Sequence, residues 1–233
     1  MTHLFLIPGM MCDARMWGDL PAQLGRHITY MLPTESDTVR TLAAQILQDA
    51  PPRFALAGLS MGGIIAMEVL RQAPHRITHL ALLDTNHRAE LPAIQANRAR
   101  QIARAQTDLV GVLRDEMKPN YLHPGPGRAE ILDLCMDMAL SLGAQVFARQ
   151  SNALKNRPDQ TQTLAAFKGP ALVLMGEDDK LCPRDRHEQM HALMPQSRLA
   201  IVPNAGHLPT LEQPAATLAE LLRWLSLPER TAP

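Results

Sequence analysis

Phe54-Ala55-Leu56-Ala57-Gly58-Leu59-Ser60-Met61-Gly62-Gly63 couples an apolar run of strand length to a Gly-x-Ser-x-Gly pattern, and Ile64, Ile65, Met67, Val69 and Leu70 follow at once with helical spacing. This is the layout of a nucleophile elbow, a sharp strand-to-helix turn that holds a serine hydroxyl clear of a sheet edge. A serine in such a turn has strained backbone, so its neighbours must lack bulk. Gly58 and Gly62 meet that need, and Gly63 lets the helix pack close to the strand. The helix N-terminus behind Ser60 brings backbone N–H groups and the positive end of a dipole to where negative charge would develop. A glycine-rich turn that merely contains a serine matches the same five residues; the strand before it and the helix after it separate the two readings.

Working outward, the same alternation recurs. Before the elbow, His3 to Ile7 reads as a buried strand stopped by Pro8-Gly9. Asp13 suits a helix N-cap ahead of Met16, Trp17, Leu20 and Leu24. Ile28 to Leu32 reads as a strand closed by Pro33, and Thr38 to Ala50 as a helix ending before Pro51-Pro52. After the elbow helix, His79 to Leu83 is a strand with Asp84 at its tip. This β-α-β-α-β-α-β order predicts a mostly parallel central sheet of about six strands with helices on both faces. From residue 86 to 161 no strand is evident: Pro92–Arg104, Asp108–Lys118, Arg128–Leu140 and Leu142–Lys155 read as helices, with His123-Pro124-Gly125-Pro126-Gly127 between them. The expected organisation is a core of residues 1–85 and 162–233 with a helical cap, 86–161, inserted over the sheet edge. The alternation resumes with a strand over Pro170–Met175, a helix over Pro183–Met194, a strand over Arg198–Val202 and a helix over Pro209–Leu225; the tail Pro228–Pro233 is expected to fray.

Bulk properties exclude several function classes. The 233 residues carry 23 basic and 23 acidic side chains, so no nucleic-acid or acidic-membrane footprint is visible. Cys12, Cys135 and Cys182 are few, odd in number and far apart, which points to a reducing compartment, and cytoplasmic is the simplest location. The segment Met1–Met11 lacks a basic n-region and a cleavage site, and no stretch approaches the roughly 18 apolar residues that would span a bilayer, so no membrane insertion is expected.

Ligands in open parallel sheets bind beyond the carboxyl ends of the strands. Ser60, Gly176-Glu177-Asp178-Asp179 and Asn204-Ala205-Gly206-His207 all fall there. A serine near neutral pH needs a base within reach, and the base needs an orienting partner. Ser60, Asp179 and His207 supply all three; by position alone, Asp178 and Asp84 remain alternative carboxylates.

The chain resembles the α/β-hydrolase superfamily, in its small cap-bearing branch of esterases, thioesterases and related lyases. The resemblance is carried by the Pro8-Gly9 loop, the Ser60 elbow, Gly176-x-x-Asp179 followed by Pro183, and Gly206-His207-Leu208 ahead of Glu212-x-Pro214. It implies Ser60 as nucleophile, His207 as base, Asp179 as acid, and an oxyanion hole made by the backbone N–H groups of Met10 and Met61. Pro8 stands where many relatives have histidine. Met11 and Cys12 are candidate pocket residues. The implied activity is hydrolysis of a carboxylic ester or thioester of a small to medium acyl group through an acyl-enzyme, with a small-molecule substrate and no cofactor or metal. A lyase or C–C bond hydrolase using the same residues, and a ligand-binding receptor with little turnover, are the alternatives.

Two further patterns need weighing. His187-Glu188-Gln189-Met190-His191 spells the zinc-protease helix signature, but no third ligand is evident, and the expectation is a solvated helix face. Arg88, Arg98, Arg100, Arg104 and Arg114 lie in the insertion; arginine clamps carboxylates and phosphates, but it is also routine on exposed helices.

Overall fold

The computed structural model describes residues 2–229. Residues 230–233 of the tail expected to fray lie outside the described residues. Leu4–Ile7 (β1), Ile28–Tyr30 (β2), Phe54–Leu59 (β3), Ile77–Leu83 (β4), Ala171–Gly176 (β5) and Arg198–Val202 (β6) form one parallel sheet in the order β2-β1-β3-β4-β5-β6. Strands buried on both faces read as unbroken apolar runs, which is why β1, β3 and β4 stand out in the sequence. The helices are α1 (Leu20–Gln23), α2 (Val39–Asp49), α3 (Met61–Gln72), α4 (Pro92–Gly111), α5 (Arg128–Lys155), α6 (Thr161–Ala166), α7 (Arg184–Leu193), α8 (Pro209–Glu212) and α9 (Pro214–Leu225).

Side-chain alternation along each strand divides the core in two. Phe5, Ile7, Leu56, Leu82 and Val173 face a layer that includes Leu42 and Ile46 of α2, Ile65 and Val69 of α3 and Met190 of α7. Leu4, Leu6, Ala57, Leu172 and Leu174 face the opposite layer, with Trp17, Leu20 of α1, and Leu221 and Trp224 of α9. The chain runs from β1 outward to β2, then returns to β3 on the other side of β1. The loops after β1 and β3 therefore diverge at a topological switch point, where such sheets open a crevice.

Several boundaries differ from the sequence reading for local reasons. The expected helix after Asp13 is a 3₁₀ turn over Ala14–Trp17 followed by α1, because Gly18 takes a left-handed φ of 53° between them. The final helix is split: α8 ends before Gln213, and Pro214, which has no N–H to give the preceding turn, opens α9. Between β4 and β5, α4 bends at Asp108 and continues as a π-type turn over Val112–Met117. α5 breaks at Gly143, φ 80°, close to the expected gap between Leu140 and Leu142. α6 was not anticipated as a separate helix; it packs against α3 and α7, and the expected 161/162 boundary falls at its first residue. α5 is also long and apolar enough to cross a membrane by length and composition, with mean hydropathy 1.5 over its most apolar window, which the sequence reading did not register. In this fold it buries Cys135, Met138, Phe147 and Leu154 against the rest of the chain.

Candidate active site

The elbow is built by close backbone approach. Ser60 ends β3 with φ 56° and ψ −117°, an unusual conformation for a residue with a side chain. A Cβ on Gly58 would overlap the Gly62 carbonyl, and one on Gly62 would overlap the Ile7 carbonyl, so neither position admits a side chain. The strain is held from the neighbouring strand: Ser60 N–H donates to the Leu83 carbonyl at 2.9 Å, and the Thr85 hydroxyl donates to the Ser60 carbonyl at 2.7 Å.

The loops after β5 and β6 bring the next two groups together. His207 Nδ1 lies 2.9 Å from Asp179 Oδ2, and both residues are buried. Asp179 Oδ1 accepts from the Leu181 N–H at 2.8 Å and the Cys182 N–H at 3.1 Å. Burial works to raise the Asp179 pKa, but the imidazole and these two N–H groups outweigh it and hold the carboxyl below its ordinary value. An acceptor fixed this way keeps a proton on Nδ1 and leaves Nε2 free to accept one. The loops can meet because Gly176 has no side chain; a Cβ there would overlap the Gly206 carbonyl.

Ser60 and His207 line the same cavity, of about 500 Å³, at the junction of the sheet edge and the inserted helices. No hydrogen bond joins the Ser60 hydroxyl to the imidazole in this state, a contact that often tightens only around substrate. Met10 and Met61 also line the cavity. Met61 opens α3, where backbone N–H groups lack helical partners, and Met10 N–H has no partner among the described residues. Met11 and Cys12, expected at the pocket, are not among the residues that line it. Met11 is fully buried with φ 56°, and Cys12 packs with Cys135 and Met138 in the second core layer. The reason is the tight loop after Pro8-Gly9, closed by Cys12 N–H donating to the Gly9 carbonyl at 3.2 Å.

Three supporting residues escaped the sequence reading. Gln150 of α5, fully buried, accepts from Met11 N–H at 2.8 Å and donates to the Pro33 carbonyl at 3.0 Å, so the insertion itself braces the loop that carries Met10. Glu212, quoted only as part of a motif, accepts from the N–H groups of Gly206 at 2.9 Å, Leu208 at 3.0 Å and His123 at 2.7 Å, clamping the histidine loop from both sides. Tyr121 accepts His207 N–H on its carbonyl at 2.6 Å and stacks its ring, tilted, 5.6 Å from the imidazole. Gln150 carried no signal at all; Glu212 could have been found from its spacing to Gly206.

The rival carboxylates separate clearly. Asp178 is exposed and pairs with His123 at 2.6 Å. Asp84 is fully buried; Gly176 N–H donates to its Oδ1 at 2.8 Å, and Oδ2 has no partner. Burial first, and the Asp179 charge beside it second, push the Asp84 pKa well above the ordinary carboxylate range.

The His-Glu-x-x-His pattern is not a solvated face. His187 is fully buried, its Nε2 accepting from Thr85 N–H at 3.2 Å, and burial pulls its pKa down to about 4. His191 is taken up by the Ser197 hydroxyl at 2.8 Å. The donor atoms of Asp179, Cys182 and His207 lie within 4.8 Å of one another, a separation a metal could bridge. Here, however, Asp179 is engaged by the imidazole and two N–H groups, and burial raises the Cys182 thiol well above its usual pKa.

A six-stranded parallel sheet with a serine elbow at its switch point and an Asp–His pair on its last loops defines a class of hydrolase fold. The chain belongs to the alpha/beta hydrolase family, whose model matches residues 4–221. It is 24% identical, over 94% of this chain and 92% of the relative, to a pimeloyl-(acyl-carrier protein) methyl ester esterase of Klebsiella pneumoniae. A thermophilic esterase from Thermogutta terrifontis superposes with a TM-score of 0.88 at 27% identity, over 97% of this chain and 89% of that one. An enol-lactonase from Burkholderia xenovorans shares the fold with a TM-score of 0.84 at 20% identity, over 97% and 92% of the two chains.

Proposed function

We propose that the protein is a serine hydrolase of carboxylic esters of small to medium acyl groups, with Ser60, His207 and Asp179 as its catalytic residues. The observation that carries the reading is the buried Asp179–His207 hydrogen bond of 2.9 Å in a cavity shared with Ser60. Ser60 Oγ attacks the ester carbonyl while His207 Nε2 takes the hydroxyl proton. The carbonyl oxygen gains charge between the N–H groups of Met10 and Met61, donors of a kind whose loss costs about 10²–10³ in kcat. The tetrahedral intermediate collapses, His207 returns the proton to the departing alcohol, and an acyl-enzyme remains. Water, deprotonated by the same imidazole, adds to that carbonyl; Ser60 leaves with the proton and the carboxylic acid is released. Asp179 stays ionised and orients the imidazole throughout.

A cavity of about 500 Å³ fits a small-molecule ester, within the usual range of about 300–1,000 Å³ for such sites. The esterase names of the relatives support the same chemistry, and a thioester would be handled by identical steps. The helices of 86–161 then serve as a cap over the site. Three unpaired thiols, Cys12, Cys135 and Cys182, are consistent with a reducing, cytoplasmic setting. Labelling with a fluorophosphonate and mapping the adduct by mass spectrometry tests the reading. The label is expected on Ser60 and absent from Ser60→Ala; an adduct elsewhere, or esterase activity surviving Ser60→Ala, removes it.

A further inference from the structure

The cavity beside Ser60 holds more positive charge than its walls neutralise. Glu90 is buried in the cavity wall, its side chain 5% exposed, and is shared by two guanidinium groups. Arg157 Nη1 donates to Glu90 Oε1 at 2.6 Å, and Arg98 Nε donates to Glu90 Oε2. The Arg157 and Arg98 side chains are only 7% and 16% exposed, so one carboxylate faces two nearly buried cations. Burial lowers the Arg157 pKa; Glu90 opposes the shift and Arg98 adds to it, as expected where positive charge is in local excess.

Nothing else on the wall makes up the deficit. Glu116, opposite, is already engaged by Arg100, Arg104 and Gln101, and that pairing with Arg100 above all pulls its pKa to about 2. Arg88 and Lys180 on the rim have no carboxylate partner among the described residues. A cation held in a low-dielectric wall without its counter-charge is costly, and an anion entering the cavity relieves that cost.

Arg98 is placed to receive that anion. Its Nε is used by Glu90, its Nη1 lies 3.8 Å from Met10 Sδ, and its Nη2 has no protein partner among the described residues. The guanidinium therefore lies against the residue whose N–H is read as an oxyanion donor, close to where the ester carbonyl would sit. We propose that the substrate is an ester carrying a free carboxylate, a half-ester of a dicarboxylic acid, with Arg98 as the residue that binds the carboxylate. The inference rests on the ester-hydrolase reading and narrows its substrate class.

Monomethyl and dimethyl esters of succinate, glutarate and adipate form matched pairs differing in one negative charge. An unaided apolar pocket would favour the neutral diester. With Arg98 as anchor, kcat/KM for at least one monoester is expected to exceed that of its diester by on the order of 10–100-fold, the usual worth of a charge-assisted hydrogen bond. Arg98→Gln should bring the ratio to about one or below, Arg98→Lys should give an intermediate ratio because the fork is lost but the charge kept, and Arg114→Gln, an exposed arginine paired with Asp115, should keep the wild-type ratio. Should Arg98→Gln fail to fold, the lysine variant and a binding measurement still decide. Free glutarate is expected to raise the melting temperature of Ser60→Ala but not of Ser60→Ala/Arg98→Lys to the same extent. Preference for the diesters, or a ratio that survives both Arg98 variants, overturns the inference. Diester hydrolysis with Ser60 labelled but no monoester preference would sink this inference alone; no hydrolysis and no Ser60 label would sink the hydrolase reading beneath it.

Discussion

His207 and His187 are both buried imidazoles on the same end of the sheet, and the electrostatics of each include Asp179. His207 sits on a loop, gives its Nδ1 side to a carboxylate and opens toward a cavity. His187 sits on α7, accepts a backbone N–H from Thr85 and is closed in on every side. The difference lies in what the second nitrogen meets. A ring polarised by a carboxylate and facing open volume can move a proton; a ring whose Nε2 already holds a structural hydrogen bond cannot do so without breaking the elbow's own support, since Thr85 also anchors Ser60. A sequence motif marks both rings, one with a metal-binding pattern and one in a glycine-bearing loop; burial and hydrogen-bond partners are what distinguish them.

The largest expected effects break the His207 side of this contrast. His207→Ala and Asp179→Asn should each cut esterase kcat by about 10⁴ or more while the protein stays folded, the first by removing the base and the second by freeing the wrong tautomer. Comparable loss in His187→Gln, measured on the same ester at neutral pH with circular dichroism as the folding check, would show that the assignment of roles is reversed. A smaller effect is expected behind the oxyanion loop. Gln150→Met deletes the acceptor for Met11 N–H and the tie to Pro33. It should lower kcat by about 10–100-fold, with KM little changed, because the loop misplaces a transition-state donor rather than a substrate contact.

How much of this was legible beforehand follows from how local each signal is. The elbow was readable because Gly58, Ser60 and Gly62 express a backbone constraint within five residues, and β1, β3, β4 and β5 were readable because burial on both faces leaves largely apolar runs, whereas the edge strands β2 and β6 are only partly buried. Gln150 and Tyr121 were not, because their work is done across 139 and 86 residues of separation from Met11 and His207, with no periodicity to announce it; Glu212, only 6 residues from Gly206, was within reach of a spacing argument. Met11 and Cys12 were misplaced for a related reason: adjacency to Met10 in sequence says nothing about which side of a tight loop a side chain leaves. The cavity charge was half legible. Five of the insertion's eight arginines were singled out, Arg157 not among them, but the sorting of Arg98 toward the cavity and of Arg100 and Arg104 onto Glu116 depends on the fold.

A pH series sharpens the role of His187. Its folded pKa, about 4, lies below the ordinary value of 6.5, so between those values the unfolded chain binds a proton that the folded chain refuses. Stability contributed by the neutral ring is therefore present above about pH 6.5 and lost as pH falls toward 4, by on the order of 2–3 kcal/mol at about 1.4 kcal/mol per unit. His187→Gln, which cannot titrate, should show a shallower loss by urea unfolding across that window, with the residual slope including His87, also pulled down by burial. A wild-type and variant pair with equal slopes would mean that the ring is charged or solvated.

The smallest effect on activity is expected at Asp84, whose pKa moves in the opposite direction to that of Asp179. The Asp84 carboxyl is held protonated by burial and by the neighbouring Asp179 charge, while Asp179 is held ionised by His207 and two N–H groups. With a folded pKa raised above the unfolded value near 3.9, Asp84 keeps a proton that the unfolded chain releases, so its contribution to stability declines as pH rises from about 4 toward neutrality. Asparagine is neutral and nearly the same shape, and its oxygen can still accept from Gly176 N–H. Asp84→Asn should therefore leave kcat within a few-fold of wild type and flatten the decline in stability above pH 4, whereas Asp84→Ala strands the Gly176 N–H and should destabilise by about 1–3 kcal/mol. If Asp84→Asn instead abolished activity as Asp179→Asn is expected to, the orienting carboxylate would belong to β4 rather than to the loop after β5, and the 2.9 Å contact between Asp179 and His207 would be structural support alone.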